Sequence, residues 1–336
     1  MTVRVAINGF GRIGRLVFRA LAESGRTDVT VVGINDLGSP EDNAHLLKYD
    51  SVHGVFPGDI RVEGDKLIVN KLPPIKVTAE RDPTKLPWKE LGVDVALECT
   101  GIFTARPKAA LHLEAGAKRV LVSAPADGAD LTVVFGVNHG LLKPEHQVIS
   151  NGSCTPNCLA PVAKVLNDLA GIKHGFMTTV HSYTGDQNLV DTLHKDRRRA
   201  RAGALSMIPS STGAAKAIGL VIPELNGKLD GVSVRVPTPN VSMIDLKVVT
   251  NRSVTKEEIH EAMIAAANGP LKGVLAVEKE ELVSMDFNHN PASSTFDLTQ
   301  TKVIDGTLVR VLSWYDNEWG FSNRMSDVAA LVGRLG

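Results

Sequence analysis

One cysteine lies in a polar stretch whose residue types could support nucleophilic chemistry. Cys154 lies within the segment 150–158, with a strand-like run before it and a helix-like run after it. At the N-terminus of a helix, unpaired backbone N–H groups and the positive end of the helix dipole favour thiolate over thiol. Cys154 is therefore predicted to be a nucleophile that ionises readily.

A thiol nucleophile usually works with a base, and three histidines are candidates for that role. His181 ends a strand-like run at 174–181, and pairing with histidine is a common way to obtain a cysteine thiolate near neutral pH. A histidine at a strand end is, however, more often structural. His174 and His194 compete with His181, and spacing alone does not choose among them.

A glycine-rich turn near the N-terminus indicates a dinucleotide site. Gly9, Gly11 and Gly14 form the pattern G-x-G-x-x-G between a strand-like run and a helical run. The first glycine permits a tight turn, the second lets a pyrophosphate approach the backbone, and the third lets helix and strand pack closely. Asp36 follows the next strand, where a carboxylate suits a ribose 2′-hydroxyl and repels a 2′-phosphate. NAD is therefore predicted as the cofactor, in preference to NADP.

The pattern of apolar segments changes near Cys154, which predicts two domains. Before it, short unbroken apolar runs are typical of a parallel sheet, and two of them end near Thr100 and Ser123, at the ligand-binding edge of such a sheet. After it, alternating runs indicate a mainly antiparallel sheet. We predict an α/β protein with a Rossmann dinucleotide-binding domain over 1–153, onto which a C-terminal helix at 320–336 packs, and an α+β catalytic domain over 154–319.

Composition excludes several classes of partner. Lys+Arg and Asp+Glu both total 37, so no excess of basic charge points to a nucleic acid or a membrane surface. The three cysteines suit a reducing compartment, and Cys99 and Cys158 are predicted to be packed structural residues. With no signal-type N-terminus and no membrane-spanning apolar run, we expect a cytoplasmic protein. No metal site is predicted.

A basic cluster at 195–201 lies within the segment 186–206. It could be a solvated loop, a subunit contact, or the source of an arginine that binds phosphate. The sequence alone does not decide among these three interpretations.

Six segments, in order along the chain, carry a resemblance to a known family. They are Ile7–Arg15, Ser150–Pro161, His181–Thr184, His194–Asp196, Thr212–Lys216 and Trp314–Gly320. On these motifs the chain resembles the phosphorylating glyceraldehyde-3-phosphate dehydrogenase family essentially from end to end.

The resemblance implies a reaction and two catalytic roles. The implied activity is the NAD-dependent oxidative phosphorylation of D-glyceraldehyde 3-phosphate to 1,3-bisphosphoglycerate. Cys154 would attack the aldehyde to give a thiohemiacetal and then a thioester, and His181 would act as the base. Inorganic phosphate would release the acyl group.

The resemblance also implies binding residues and an assembly. For the substrate phosphate they are Thr184 and Arg235, and for inorganic phosphate Ser153, Thr155, Arg199, Thr212 and Gly213. The implied cofactor contacts, beside the glycines of the turn, are Arg12, Ile13, Asp36, Arg81, Ser123 and Asn317. The family is usually a homotetramer in which the segment 186–206 lies near a neighbour's cofactor, so its basic cluster is expected to serve both interface and site.

Two residues next to the nucleophile depart from the family's usual pattern. Gly152 and Pro156 stand where Ala and Thr are common. This could be neutral drift, or it could mark an isozyme that resists bulky electrophiles directed at the thiol. Two alternative functions remain: a dehydrogenase for a longer sugar phosphate such as erythrose 4-phosphate, and a non-catalytic binding protein that kept the fold.

Overall fold

The computed structural model describes residues 2–335, which form two compact units. The first unit comprises the chain up to Val133, residues His139–Ser153 and the chain from Ser322 onward. The second comprises Val134–Asn138 and Cys154–Phe321. Among the described residues no helix is both long and apolar enough to cross a membrane.

The first unit is built on a nine-stranded sheet with the order β10-β11-β9-β8-β1-β2-β7-β6-β5. Its strands and the separate hairpin β3–β4 are β1 Val3–Asn8, β2 Val29–Asn35, β3 Tyr49–Asp50, β4 Gly54–Val55, β5 Ile60–Glu63, β6 Lys66–Val69, β7 Ile75–Thr78, β8 Val95–Glu98, β9 Arg119–Val122, β10 Leu131–Thr132 and β11 Val148–Ser150. Its helices are α1 Arg12–Glu23, α2 Pro40–Lys48, α3 Arg106–Ala109 and α4 Leu111–Glu114, with short 3-10 helices at Pro83–Lys85 and His139–Leu141. From β10 to β7 all neighbours run parallel, and β6 and β5 add an antiparallel edge. The predicted Rossmann sheet is confirmed.

The turn between β1 and α1 has the shape that its glycines were expected to allow. Gly9 has φ +88°, and a Cβ there would lie 2.7 Å from the backbone nitrogen of Thr100. A Cβ on Gly14 would lie 2.1 Å from the carbonyl oxygen of Gly9, so only glycine lets the helix start this close to the strand. A Cβ on Gly11 would meet no atom within 4 Å, so the backbone there is open to a ligand.

The second unit is built on an eight-stranded sheet in which β13-β14-β12-β15-β19-β17-β16 are neighbours and β18 pairs with β19. Its strands are β12 Ile172–Ser182, β13 Ile208–Ser211, β14 Leu229–Val236, β15 Ser242–Thr250, β16 Leu275–Glu278, β17 Ser294–Asp297, β18 Lys302–Ile304 and β19 Leu308–Tyr315. Its helices are α5 Cys154–Ala170, α6 Ala214–Val221 and α7 Lys256–Asn268, with 3-10 helices at Pro223–Leu225, Ser284–Phe287 and Leu298–Gln300. β12 runs parallel to β14 and β16 to β17, and the other neighbours are antiparallel, so the predicted mainly antiparallel sheet is confirmed.

The core of the second unit fixes the helix that begins at the cysteine. Apolar side chains of α5, α6 and α7 form one cluster with inward-facing residues of β12, β15 and β19. Because α5 is buried along most of its length, burial of apolar area anchors its first turn against the sheet. The last helix, α8 Trp319–Val332, begins in the second unit and continues into the first.

Candidate active site

Cys154 is the first residue of α5, and His181 is the next-to-last residue of β12. The Cys154 Sγ lies 3.5 Å from the His181 Nε2. The thiol is half-buried and the imidazole is buried. Of the three histidines considered from the sequence, the structure therefore brings His181 to the cysteine. His174 lies exposed at the other end of β12, and the His194 Nδ1 bonds to the backbone N–H of Asp196 at 2.9 Å.

The His181 ring is oriented by a neighbouring carbonyl. Its Nδ1 lies 2.7 Å from the carbonyl oxygen of Ser182. Because a carbonyl only accepts, Nδ1 carries the proton of the neutral ring and the lone pair of Nε2 faces the thiol. The ring also makes an edge contact with Tyr315, with centroids 5.9 Å apart.

Arg235 reaches this pair from the neighbouring strand. It stands directly opposite His181 in the parallel register of β12 and β14. Its Nη1 donates to the Ser182 carbonyl at 3.2 Å and to the Thr184 hydroxyl at 2.8 Å. One guanidinium thus lies beside both the imidazole and the hydroxyl predicted to bind phosphate.

Burial controls the protonation states of the pair. Burial, followed by the charge of Arg235, lowers the pKa of His181 to about 4. Burial also raises the pKa of the Cys154 thiol, although Arg235 and hydrogen bonds from Thr155 work in the opposite direction. The helix N-terminus favours the thiolate and burial opposes it, so in the unliganded protein the pKa of Cys154 lies above its ordinary value. Ready ionisation of Cys154 in the working enzyme stays a prediction.

Three of the predicted anion-binding side chains form one network. The Arg199 Nη1 donates to the Asp186 carboxylate at 2.6 Å, and its Nε donates to the Ser210 hydroxyl at 2.9 Å. Thr184 also bonds to Asp186. Burial by itself would raise the pKa of Asp186, but Thr184, Arg235 and Arg199 together hold it below its usual range. Asp186, which the sequence analysis did not single out, is the acceptor that joins these groups.

The other predicted anion-binding residues lie at helix starts. Gly213 is the N-cap of α6, and the Thr212 hydroxyl accepts from the Ala214 N–H at 3.1 Å. Ser153 directly precedes α5 and is half-buried. The Thr155 hydroxyl is turned inward to the hydroxyl of Tyr315 at 2.9 Å, so its side chain does not join the network around Asp186.

A cleft of about 480 Å³ lies in the first unit at the carboxyl ends of its parallel strands. It is lined by the predicted residues Gly9, Gly11, Asp36, Arg81 and Thr100. The Asp36 carboxylate accepts from the N–H groups of Phe10 at 2.8 Å and Gly38 at 3.1 Å, so it is held in place at the cleft. The open backbone at Gly11, the start of α1 and this carboxylate fit a dinucleotide whose ribose carries a free 2′-hydroxyl.

Five predicted cofactor residues lie away from the lining of this cleft. Gly14 packs inside α1, Ile13 is half-buried, and Ser123 donates its N–H to the Glu98 carbonyl at 3.0 Å. Arg12 forms an ion pair with Asp50 at 2.5 Å. Asn317 belongs to the second unit, where its Oδ1 accepts from the hydroxyls of Ser182 and Ser242, each at 2.9 Å. These bonds fix the direction of the Asn317 amide.

Several residues of these sites were missed by the sequence analysis. The cleft is also lined by residues that carried no recognised motif, namely Asn8, Asn35, Leu37, Glu80, Cys99, Ile102 and Phe103. Cys99 was expected to be a packed hydrophobe, but it follows the end of β8, is only half-buried and lines the cleft. Strand ends were the available signal, because β1 ends at Asn8 and β2 at Asn35. Among residues 2–335 no group of three or more His, Cys, Asp or Glu side chains is arranged to hold a metal ion.

Comparison with known proteins covers nearly the whole chain. Residues 3–106 match the glyceraldehyde 3-phosphate dehydrogenase NAD binding domain, and residues 153–317 match the C-terminal domain of the same family. Similar proteins include glyceraldehyde-3-phosphate dehydrogenases from Xanthobacter flavus, 71% identical over 336 residues, and Cereibacter sphaeroides, 66% identical over 335 residues. Glyceraldehyde-3-phosphate dehydrogenase 1 from Bacillus subtilis is 56% identical over 337 residues. Each of these matches covers 100% of both chains.

The sheet, the glycine turn and the matched NAD binding domain define the class of this protein as an NAD-dependent oxidoreductase. The second matched domain and the full-length relatives narrow the assignment further. The chain belongs to the glyceraldehyde 3-phosphate dehydrogenase family.

Proposed function

We propose that this enzyme oxidises D-glyceraldehyde 3-phosphate and joins the product to inorganic phosphate, giving 1,3-bisphosphoglycerate. The observation that carries the proposal is the contact of the Cys154 Sγ with the lone pair of the His181 Nε2 at 3.5 Å. The names of the full-length relatives support the substrate.

The pair rests as a neutral thiol and a neutral imidazole. When the substrate binds, the thiol proton passes to Nε2 of His181 as the Cys154 sulfur attacks the aldehyde carbon. A C–S bond forms, the π pair of the C=O bond moves onto the oxygen, and that oxygen takes up the proton from Nε2. The proton transfer within the pair creates no net charge, which favours it in a buried site. The positive charge of Arg235 stabilises the Cys154 thiolate that forms. The resulting thiohemiacetal places an oxygen where His181 can hold or remove its proton.

NAD, when bound, supplies the acceptor for the hydride that leaves the thiohemiacetal. Gly9, Gly11 and Asp36 would hold its pyrophosphate and ribose in the cleft of the first unit. The remaining cofactor contacts that we propose are Arg12, Ile13, Gly14, Arg81, Thr100, Ser123 and Asn317. Oxidation leaves a thioester on Cys154. Attack by inorganic phosphate on its carbonyl carbon breaks the C–S bond, releases the acyl phosphate and returns the thiol.

Two anions have to be held during this cycle. We place the substrate phosphate at Thr184 and Arg235, because Arg235 already donates to the Thr184 hydroxyl. Inorganic phosphate is placed at Arg199 with Ser153, Thr155, Thr212 and Gly213. The carboxylate of Asp186, which now accepts from both Arg199 and Thr184, marks where negative charge is favoured.

The deciding experiment measures NADH formation from glyceraldehyde 3-phosphate with inorganic phosphate present or omitted. The proposal expects turnover only with phosphate. Sustained turnover without it, or a preference for erythrose 4-phosphate, would favour the alternative dehydrogenase. If Cys154→Ser keeps full activity, the proposed role of Cys154 fails. If the unaltered chain has no activity, the non-catalytic binding protein is favoured.

We also propose that the residues around Cys154 make this an isozyme resistant to bulky electrophiles that attack the thiol. Gly152, with φ +64°, precedes Cys154 by two residues, and Pro156, buried in the first turn of α5, follows it by two. We expect substitutions at these two positions to change the approach to the sulfur. Gly152→Ala with Pro156→Thr should raise the inactivation rate by a bulky epoxide and leave turnover within about threefold. Iodoacetamide, which is small, serves as the control reagent. The idea fails if the rate with the epoxide does not change.

The proposed working form is a cytoplasmic homotetramer of two-domain chains. The division would be an NAD-binding domain over 1–153, with the helix at 320–336 packed on it, and a catalytic domain over 154–319. The two compact units support that division. The three cysteines are free, which supports a reducing compartment.

A further inference from the structure

A row of polar side chains crosses the first sheet at the carboxyl ends of its strands. Glu98, Asn8, Asn35 and Thr78 are the last residues of β8, β1, β2 and β7, and each stands opposite its neighbour in register. The Asn8 Nδ2 donates to the Glu98 Oε2 at 2.6 Å, the Asn35 Nδ2 to the Asn8 Oδ1 at 2.7 Å, and the Thr78 hydroxyl to the Asn35 Oδ1 at 2.8 Å. We call these four residues the amide row.

The direction of the amide row is fixed at one end by main chain. The Asn35 Nδ2 donates to the Glu80 carbonyl at 2.8 Å, and its Oδ1 accepts from the Glu80 N–H at 2.8 Å. Because a carbonyl only accepts and an N–H only donates, Asn35 cannot reverse its amide. Asn8 must then present its oxygen to Asn35 and its nitrogen to Glu98.

At the other end, Glu98 has to accept at both oxygens. The Trp88 indole N–H, which only donates, lies 3.0 Å from the His112 Nδ1, so the proton of the neutral imidazole is on Nε2. That Nε2 lies 2.9 Å from the Glu98 Oε2. The Glu98 Oε1 accepts from the N–H of Thr100 at 2.8 Å and from its hydroxyl. Glu98 is 1% exposed and His112 is 0% exposed.

We propose that Glu98, oriented by His112, is a positioning residue for the cofactor. Its carboxylate is the acceptor that ends the amide row opposite the Glu80 main chain: one oxygen accepts from Asn8 and the other holds Thr100. Asn8, Asn35, Glu80 and Thr100 all line the cleft of the first unit. The inference rests on the proposed function in one respect, that this cleft takes up NAD.

The test is a double-mutant cycle on the full chain, with NAD affinity measured by calorimetry. In Glu98→Gln the new amide NH2 faces either the Asn8 and His112 donors or the Thr100 N–H, so no orientation satisfies the row. Asn8→Asp places two carboxylates side by side. We expect each single substitution to weaken NAD binding by about tenfold. In Glu98→Gln with Asn8→Asp, the amide at position 98 donates to the carboxylate at position 8, while its contact with the His112 N–H stays unsatisfied. NAD affinity should therefore recover in part, to a value above that of either single variant.

The cycle separates positioning from simple structural support. If Glu98 only fills space, the double variant is weaker than either single one, and that outcome overturns the proposal, as does unchanged affinity in Glu98→Gln. If Glu98→Gln does not fold, Thr78→Val replaces it, with Thr30→Val at the opposite end of β2 as the control. Equal NAD affinity of these two variants would also overturn the proposal. An unaltered chain that does not bind NAD would overturn the proposed function itself, and the inference with it.

Discussion

Cys154 and Cys158 are one helical turn apart in α5, but their surroundings differ. Cys154 is half-buried beside the imidazole of His181. Cys158 is fully buried with its Sγ 3.3 Å from the Ser294 hydroxyl, and burial raises its pKa to about 12. Burial likewise raises the pKa of Cys99 to about 12, with the charge of Glu98 adding to the effect. Of the three thiols, only Cys154 has a base in contact.

The first prediction concerns the selectivity of thiol modification. Iodoacetamide should modify Cys154 first, with loss of activity in step, because His181 can take up the thiol proton as the sulfur attacks the reagent. Mass spectrometry of the modified peptides gives the site, and Cys158→Ser is the control. The control should react and lose activity as the unaltered enzyme does. Early modification of Cys99 or Cys158 would contradict the prediction.

The second prediction concerns His181 and the dependence of stability on pH. Its pKa falls from the ordinary 6.5 to about 4 on folding, so the unfolded chain binds the proton more readily. The contribution of this pKa difference to the free energy of unfolding is complete above pH 6.5 and is lost as pH falls toward 4. It is on the order of 3 kcal/mol. Urea unfolding of the unaltered chain and of His181→Gln at pH 7.5, 6 and 5 measures it.

The pH dependence of the free energy of unfolding should differ between the unaltered chain and His181→Gln. The free energy of unfolding of the unaltered chain should fall more steeply between pH 6 and pH 5 than that of His181→Gln. His181→Gln should also reduce kcat/KM by about 10²- to 10⁴-fold, the usual effect of losing a general base. Parallel pH curves would mean that the imidazole is not desolvated as described.

At the scale of elements, the start of α5 depends on a left-handed backbone. Gly152 has φ +64°, and its N–H donates to the Ser150 hydroxyl at 3.0 Å. β11 ends at Ser150 and α5 begins at Cys154, so three residues make the turn from strand to helix, and among them only Gly152 has a positive φ. Pro156, the third residue of α5, lacks an N–H that would have no partner within the helix.

The third prediction follows from that turn. Gly152→Ala should lower the free energy of unfolding by about 1–2 kcal/mol, because alanine resists a positive φ. Gly140→Ala is the matched control, since a Cβ there meets nothing within 4 Å and its φ is not positive. The control should change stability by no more than about 0.5 kcal/mol. Equal effects of the two substitutions in urea unfolding would contradict the role of Gly152.

At the scale of the whole molecule, the segment 186–206 exposes large apolar side chains. Leu193 is 99% exposed, and Leu189 and Leu205 are each 83% exposed. Exposed apolar patches on a chain of this kind mark contact surfaces. These exposed leucines lie in the same segment as the basic cluster that includes Arg199. One segment would therefore form both the subunit interface and part of the phosphate-binding site.

The fourth prediction is the mass of the particle in solution. Light scattering should give about four times the 35.9 kDa of one chain, as the proposed homotetramer requires. Replacing Leu189 and Leu205 by Ser should shift the distribution toward smaller species, because apolar contact area is lost. Lys108→Ser, at an exposed position of α3, is the control. A monomeric unaltered chain would contradict the proposal.

Much of the fold could be predicted because its signals are local. The Gly9–Gly14 turn, the unbroken apolar runs of β1 and β2 and the alternation in β15 depend on sterics and periodicity within a few residues. The site was harder to predict from the sequence, because His181, the base, is 27 residues from the Cys154 thiol along the chain. The folded position of β12 brings His181, and not His174 or His194, to the thiol. The register of β12 with β14 places Arg235 opposite His181.

The sequence by itself determined the family, the NAD-binding sheet and the place of Cys154 at the start of a helix. Those features follow from short-range backbone geometry and from motifs that the chain carries intact. Only the tertiary structure decided that burial raises the pKa of Cys154, that Asp186 joins the anion-binding residues, and that Glu98 heads a directed row of amides. Desolvation and hydrogen-bond direction depend on which distant residues surround a group, and that information exists only once the strands are in register.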